Sequence, residues 1–428
     1  MIDIAKELNT TLKATVVGSL LSPLGKRIYF PKGIVKQSQD AIAQNCLINA
    51  TAGVALQDGH YITHPHFNTF SPIVSSDEMV SYAPTAGVLS LRNMWNNHIE
   101  EENPPLALTS HSLPVVTSGL THAISIIGQL FIDEETDIAI IDPSWDNYHL
   151  IFKVTHQAKI HNLPLFNDSG LFDITNWEQP CKEMKGEKLV FLFNFPHNPT
   201  GYTPSDKEME EITHLILDLA HKGKKILVIV DDAYFGLFHN ETCSQYSLFS
   251  SIASLHENIL AVKCDAATKE SLVWGFRVGF ITYGGKNLTK EHYEALIEKT
   301  KGAIRGSVSS ASMVSQSLLI SAMKSSSYSI TIKKTKDEMK MRYERIFERI
   351  ASYSHDPILV PLPANSGYFI SFYYKGDAGE LRKMLLKDGI GVVSVGEHLI
   401  RIAYSAVNIE QIDTLIETLY EGARSLWK

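Results

Sequence analysis

Lys269, in Asp265-Ala266-Ala267-Thr268-Lys269-Glu270, is followed eight residues later by Arg277 in Gly275-Phe276-Arg277-Val278-Gly279. Upstream stand Asn198-Pro199-Thr200-Gly201 and Asp231-Asp232-Ala233-Tyr234, each directly after an apolar run that reads as a strand. An amine, a guanidinium, an amide, a carboxylate and a phenol therefore follow one another at the ends of successive strands. Together they are the partners that a bound pyridoxal phosphate requires. Taken singly, none of them points to that chemistry.

A lysine that attacks an aldehyde must be partly desolvated and close to positive charge, because both lower its pKa and free the neutral amine. Lys269 alone would be one more surface lysine, and its fixed offset from Arg277 sets it apart. Arg277 opens the apolar run Val278-Gly279-Phe280-Ile281, where a guanidinium can grip a phosphate through two hydrogen bonds. Ser118-Gly119-Leu120-Thr121 starts an amphipathic helix bearing Ala123, Ile124, Ile127 and Leu130, and the N–H groups at such a start bind anions. Asp231 follows Ile226–Val230 and can pair with a pyridine nitrogen, keeping the ring an electron sink. Asp232 is its rival, and strand alternation sends it to the opposite face. Asn198 lies in a sequence that also reads as a plain Pro-Gly turn. Trp145, in Asp142-Pro143-Ser144-Trp145, can lie against an aromatic ring or simply fill the core.

The elements that must position these residues alternate between helical periodicity and short β-rich runs from about Thr109 to Tyr283. Asp137–Ile141, Leu189–Phe193, Ile226–Val230, Ile259–Val262 and Val278–Thr282 are nearly continuous in apolar character, as expected of parallel strands covered on both faces. Ser205-Asp206-Lys207-Glu208 is a capping box, after which Met209, Ile212, Leu215, Ile216 and Leu219 recur with helical spacing. This predicts an α/β domain with a mostly parallel sheet. The charged stretch Thr331–Tyr353 predicts a long helix leading into a smaller α+β unit. That unit comprises a strand at Gly367–Tyr373, a helix at Ala378–Leu386, strands at Gly391–Val395 and Leu399–Ala403, and a last helix at Ile409–Trp427. Residues 1 to about 60 lack a core of their own.

A chain of 428 residues with 44% hydrophobic and 20% charged residues suits a soluble protein of two or more domains. A net charge of −8, with Lys and Arg dispersed, offers no field for nucleic acid. Cys46, Cys181, Cys243 and Cys264 are far apart, which argues against a disulfide framework and fits a reducing cytoplasm. Ala14–Leu24 is too short to span a membrane. His60, His64 and His66 form a His-x-x-x-His-x-His string, but Pro65 prevents a single helical metal-binding face, so no metal is expected.

The combined motifs resemble the fold-type I pyridoxal-phosphate aminotransferases of the class I/II group, over about Asn49 to Arg401. The resemblance implies an α/β fold-type I transferase: an N-terminal segment 1–60 packing with the small domain, a large cofactor-binding domain 61–325, and a small domain 326–428. It implies that Lys269 holds the cofactor covalently, that Arg277, Ser118, Gly119 and Leu120 hold its phosphate, and that Asp231 pairs with the ring nitrogen. Asn198 and Tyr234 would contact the ring hydroxyl and Trp145 would stack on the ring. Arg401 is similar to the arginine that binds the substrate α-carboxylate, with Gly53 beside it. Tyr82 resembles the tyrosine that reaches the phosphate of a neighbouring subunit, implying a homodimer with shared active sites. Arg305, thirty-six residues after Lys269, resembles the arginine that binds the distal carboxylate of dicarboxylate substrates, aspartate or glutamate with 2-oxoglutarate. One departure is Ala266, where many relatives place a phosphate-binding serine; Thr268 or Thr121 can substitute. Glu270, next to the lysine, has no assigned role. The expected activity is amino transfer between an α-amino acid and a 2-oxo acid. A lyase or decarboxylase on the same scaffold, or a cofactor-binding protein without catalysis, would use the same residues.

Overall fold

The parity of one strand decides the architecture. In Lys225–Asp231, alternate side chains enter opposite apolar layers, and the neighbouring strands repeat the alternation. The computed structural model describes residues 6–7, 9–10, 23–27, 34–62 and 74–427. Its main sheet has seven strands: β1 (Val115–Thr117), β2 (Asp137–Asp142), β3 (Lys159–Pro164), β4 (Lys188–Asn194), β5 (Lys225–Asp231), β6 (Ile259–Ala266) and β7 (Gly279–Gly285). They lie in the order β1-β7-β6-β5-β4-β2-β3. Strands β2 to β6 are mutually parallel, as the apolar runs predict.

The run assigned to a parallel strand at Val278–Thr282 is corrected: β7 lies antiparallel to both β6 and β1. Between β6 and β7 there is one helical turn, Ala267–Glu270, and a 3-10 turn, Trp274–Phe276. Neither is long enough to carry the chain back along the sheet, which a parallel return requires. Strands β1 and β3 carry no apolar run that sequence patterning detects. The first is three residues long and the second is a polar edge strand with Leu163 as its one fully buried residue.

Helices α1 (Leu89–Glu102), α2 (Leu120–Phe131), α3 (Asp206–His221) and α4 (Lys290–Arg305) cover this sheet. Leu91 and Trp95 of α1 pack with Phe191, Phe193, Val228, Val230 and Ala261 on one face. Ala123, Ile124 and Ile127 of α2 pack with Val190, Leu192, Ile229, Val262 and Cys264 on the other. The capping box of α3 is present, with the Ser205 N–H donating to Glu208 Oε2 at 2.7 Å.

Helix α5 (Tyr328–Ala351) runs from one core to another: Met339 packs under the main sheet, Ile346 and Ile350 under the small one. The small sheet has strands β8 (Leu359–Pro361), β9 (Phe369–Tyr374), β10 (Val393–Val395) and β11 (Leu399–Ala403), all antiparallel, in the order β8-β9-β11-β10. Helices α6 (Ala378–Lys387) and α7 (Ile412–Leu426) close it. The predicted strand at Gly391–Val395 is interrupted at Val392, because Ile390–Gly391 pairs instead with Ile48–Asn49. Ile48 and Ala50 thereby join the small core. No helix of the described residues is long and apolar enough to cross a membrane.

At the carboxyl end of β5 the parity separates two adjacent acids. Asp231 turns to the α2 face, while Asp232, on the α1 face, pairs with Lys263 and accepts from Ser247 Oγ at 2.6 Å. Lys263 also lies 3.7 Å from Asp265, which accepts from Trp95 Nε1 at 3.0 Å. Burial lowers the affinity of Lys263 for its proton, and the two carboxylates more than offset that. From sequence, replacing Asp232 is expected to be mild; the structure moves its cost onto stability. Asp232→Ala leaves a buried ammonium with one more distant partner, and a loss of about 3 kcal/mol is expected. Urea unfolding of that variant beside Asp232→Asn checks it.

Candidate active site

The carboxyl ends of β4, β5 and β6 and the start of α2 enclose a cavity of about 250 Å3. Of the residues singled out in the sequence, Leu120, Trp145, Asn198, Asp231, Tyr234, Lys269 and Arg277 line it. Open parallel sheets bind ligands at this edge because the loops after the strands diverge there.

Lys269 projects from the turn Ala267–Glu270, with Nζ 4.8 Å from the centre of the Tyr234 ring. Burial pulls its pKa down to about 8; Asp231 pushes the other way and Arg277 adds to the fall. Asp231 accepts from the Tyr148 hydroxyl at 2.5 Å and from the Ala233 N–H at 3.0 Å. Burial nevertheless raises its pKa to about 6. Asn194 Nδ2 donates to the Asp231 carbonyl at 2.9 Å, and Asn194 Oδ1 accepts from the Asn198 N–H at 2.9 Å.

Arg277 ends the 3-10 turn with φ +53°, a left-handed conformation that a side-chain-bearing residue adopts at some energetic cost. Its guanidinium lies against Gly119, which has φ +84°; a Cβ there would stand 2.4 Å from Arg277 Nη2. Gly279 is as tight, since its Cβ would meet the Gly119 carbonyl carbon at 2.5 Å. The two glycines bring a guanidinium and the open N–H groups of a helix start to one place, a cradle for an anion. The Ser118 N–H is engaged by His122 Nδ1 at 3.1 Å. Thr268 Oγ1 is buried beside Lys269 without a partner among the described residues, and Thr121 also lines the cavity.

On the other side, Arg401 is buried, with Nη2 donating to the Thr51 carbonyl at 2.8 Å and Nη1 to Asn198 Oδ1 at 3.2 Å. It lies 4.4 Å from the Phe369 ring centre, and its Nε has no partner among the described residues. Burial brings its pKa to about 10, so it stays charged at neutral pH. Gly53 faces the same place: its Cβ would meet Phe369 Cζ at 2.8 Å and the Tyr234 hydroxyl at 3.2 Å. Burial raises the Tyr234 pKa, with Arg401 opposing.

Tyr82 and Arg305 do not line the cavity. Tyr82 is 95% exposed, and Arg305, at the end of α4, donates to Ser309 Oγ at 2.5 Å. His60 is exposed in a short hairpin, His64 and His66 lie outside the described residues, and no group of three or more His, Cys, Asp or Glu among the described residues could hold a metal. Sequence reading passed over Tyr148 and Asn194. Asn194 had a usable signal, a polar residue at the carboxyl end of an apolar strand; Tyr148 had none beyond standing three residues after Trp145.

Pyridoxal phosphate fits these groups on their own chemistry. The anion cradle and the unpartnered Thr268 hydroxyl suit a phosphate, and the buried acid and the amine of low pKa suit a ring nitrogen and an aldehyde. A lysine that titrates near 8 rather than 10.5 is half neutral at that pH. Acylation of Lys269 in the empty protein, followed by peptide mass spectrometry, is therefore expected to rise with pH and level off above about 8, whereas that of a free lysine in a model peptide keeps rising to about 10.

Known proteins resemble this chain over most of its length. Residues 49–419 match the family described as aminotransferase class I and II. The chain is 24% identical to a probable N-acetyl-LL-diaminopimelate aminotransferase of Bacillus subtilis over 94% of each protein. It is 27% identical to an aspartate aminotransferase of Sulfurisphaera tokodaii over 40% of this chain and 43% of that one. The solved structure of an aminotransferase from Anaerococcus prevotii shares its fold with a TM-score of 0.83, at 24% identity, over 94% of this chain and 99% of that one. Thermus thermophilus aspartate aminotransferase with maleate gives a TM-score of 0.73 at 17% identity, with 94% and 99% covered. With the match spanning the main sheet, the cavity and the small unit alike, the chain belongs to the aminotransferase class I and II family.

Proposed function

We propose that this aminotransferase works with pyridoxal phosphate, held covalently by Lys269, and moves an amino group from an α-amino acid to a 2-oxo acid. The observation that carries the reading is the meeting, in one small cavity, of an amine of lowered pKa, a buried acid and an anion cradle, with Arg401 close by. When bound, the cofactor supplies an aldehyde for the amine and a ring that accepts electrons from the substrate α-carbon. Arg277, Ser118, Gly119 and Leu120 hold its phosphate, with Thr268 supplying the hydroxyl that Ala266 lacks. Asp231, steadied by Tyr148, carries the charge that keeps the ring nitrogen protonated, while Trp145 lies on the ring and Asn198 and Tyr234 meet its hydroxyl. Arg401 and Asn198 take the substrate carboxylate next to Gly53. Lys269 Nζ is the base that would take the substrate α-proton and hold it for return.

The proposed domains are a large unit over 61–325 and a small unit over 326–428, with 1–60 packing on the latter. The proposed assembly is a cytoplasmic homodimer. Tyr82 stands in a run of exposed apolar residues, with Val80 at 80% and Leu89 at 59% exposure, which suits a surface that a second copy covers. From there Tyr82 reaches the neighbour's phosphate site. Arg305, exposed and held by one serine, is the candidate partner for the distal carboxylate of an acidic substrate bound in the neighbouring subunit.

Incubation with a panel of amino donors and 2-oxoglutarate, read by the absorbance change of the cofactor, tests the activity. Lys269→Ala is expected to abolish the borohydride-reducible adduct while the fold persists. Asp231→Asn is expected to keep cofactor binding but lower kcat by about a hundredfold or more. It should leave the empty protein as stable as before or more so. The raised pKa of Asp231 means that its native carboxyl keeps a proton that the unfolded chain gives up between about pH 4 and 6. Stability contributed by that group is therefore lost as pH rises through this window, and denaturant midpoints at pH 5 and 7 check the sign. Arg305→Ala is expected to depress kcat/KM for aspartate or glutamate by roughly thirtyfold or more, about 2 kcal/mol, with neutral donors little changed. Equal losses for both donor classes would remove the case for an acidic substrate.

A further inference from the structure

Glu270 directly follows Lys269, yet it faces away from the cavity that Lys269 lines. Its carboxylate accepts from His98 Nε2 of α1 at 2.5 Å, and the two side chains are 11% and 21% exposed. The pair borders a separate cleft of about 620 Å3 between α1 and α5. Around it stand Glu102 on α1, Lys263 and Asp265 on β6, and Tyr328 and Lys336 on α5. Burial works against both charges and each offsets it for the other, so His98 is held protonated well above its usual range and Glu270 stays ionised.

The turn that carries both residues is four residues long, too short to be stable through its own hydrogen bonds. Its Ala267 N–H donates to the Val278 carbonyl, and the N–H groups of Ser271, Leu272 and Val273 donate back to the carbonyls of Ala267, Lys269 and Thr268. Outside these local bonds, only Val278, just before β7, and His98 of α1 hold it by hydrogen bonds among the described residues. Successive residues of a helical turn point about 100° apart. A rotation of this turn by one residue would bring the carboxylate of Glu270 toward the reactive cavity and carry the amine away. The pair opposes that rotation, because Glu270 would break its hydrogen bond to His98 and leave the imidazole, among the described residues, with only the carboxylates of Glu102 and Asp265 beyond contact distance. Fixing a register is the best-attested use of a buried ion pair.

We propose that Glu270 and His98 form a positioning pair that bolts the turn Ala267–Glu270 to α1 and so sets the direction in which the Lys269 amine enters the active site. The inference rests on the reading of Lys269 as the residue that holds pyridoxal phosphate. Neither member touches substrate or cofactor; they act through the backbone of their neighbour. The geometry requires a hydrogen-bond acceptor at 270, so a glutamine in that place preserves the effect and an alanine does not.

The experiment compares the wild type with Glu270→Gln, Glu270→Ala and His98→Asn, using three readouts. These are the pH midpoint for acylation of Lys269 in the empty protein, the rate at which added pyridoxal phosphate forms the borohydride-reducible adduct, and the melting temperature. The expected result is that Glu270→Ala and His98→Asn move the midpoint by about half a unit or more and slow adduct formation about tenfold, while Glu270→Gln stays near wild type. Melting temperatures that fall with an unchanged midpoint and rate would overturn the proposal and leave the pair merely structural. A Glu270→Gln as impaired as Glu270→Ala would overturn it too, because charge rather than position would then be the agent. If Glu270→Ala does not fold, His98→Asn is read by the same criteria. A wild type with no adduct at Lys269 sinks the parent reading, whereas a normal adduct with unaltered variants sinks this inference alone.

Discussion

The end of β5 places two carboxylates in sequence and sends them to opposite faces of a sheet covered on both sides. Isolated ionised carboxylates cannot be buried cheaply, so each needs a partner on its own face. Asp232 has Lys263 and Ser247, and through Lys263 it is linked to Asp265 and Trp95. Asp231 has a phenol and a backbone N–H but, among the described residues, no cation in contact, and its pKa rises. One acid is thus compensated internally and the other is left in want of a cationic partner. The protonated pyridine nitrogen of the proposed cofactor would supply what it lacks. The parity of a single strand separates the acid paired inside the fold from the one that lines the cavity.

A second constraint joins the two units of the chain. The turn after β4 must meet the small sheet at close range: Gly201 has φ +79°, and a Cβ on it would sit 2.0 Å from the Phe369 carbonyl oxygen. The Gly201 carbonyl accepts from the N–H groups of Asn365 and Ser366, and Ser371 Oγ donates to the Pro199 carbonyl at 2.8 Å. Ser371 is the register partner of Arg401 across β9 and β11. The contacts that dock the small sheet therefore also aim Arg401 at Asn198. The Asn-Pro-Thr-Gly sequence thus both docks the small sheet and, through Asn198, lines the cavity.

The central strands β2, β4, β5 and β6 were legible in the sequence because burial on both faces leaves long apolar runs that few other elements share. The residues at their carboxyl ends were legible for the same reason: a polar side chain directly after such a run sits where the sheet opens. Asp231 and Asn198 were found that way. Asn194, the last residue of β4, obeys the same rule and was hidden by belonging to the strand itself. The direction of β7 was not legible, since an antiparallel strand buried on both faces has the same composition as a parallel one. Tyr148 could not be seen either, because its hydroxyl reaches Asp231 from 83 residues away in the chain. Glu270 was conspicuous in sequence but had no meaning until α1 brought His98 to it.

Several local features of the site run against the stability of the empty protein. Lys269 and Asp231 have pKa values moved by burial toward their neutral forms, Arg277 has a left-handed backbone, and Thr268 Oγ1 and Arg401 Nε are buried without partners among the described residues. Other buried groups are also left partly unpaired, as at Arg342, whose Nη1 and Nη2 donate to Ser405, Leu56 and Glu338 while its Nε has no partner among the described residues. Several such features gathered in one cavity are the pattern expected where structure serves binding rather than folding. The rigid surroundings make the strain tolerable: apolar layers on both faces of the sheet and the Asp232–Lys263–Asp265 cluster hold the strand ends in place. A ligand carrying an anion at one end and a protonated ring nitrogen at the other would relieve most of these costs at once. Its binding free energy would then appear partly as stabilisation of the fold.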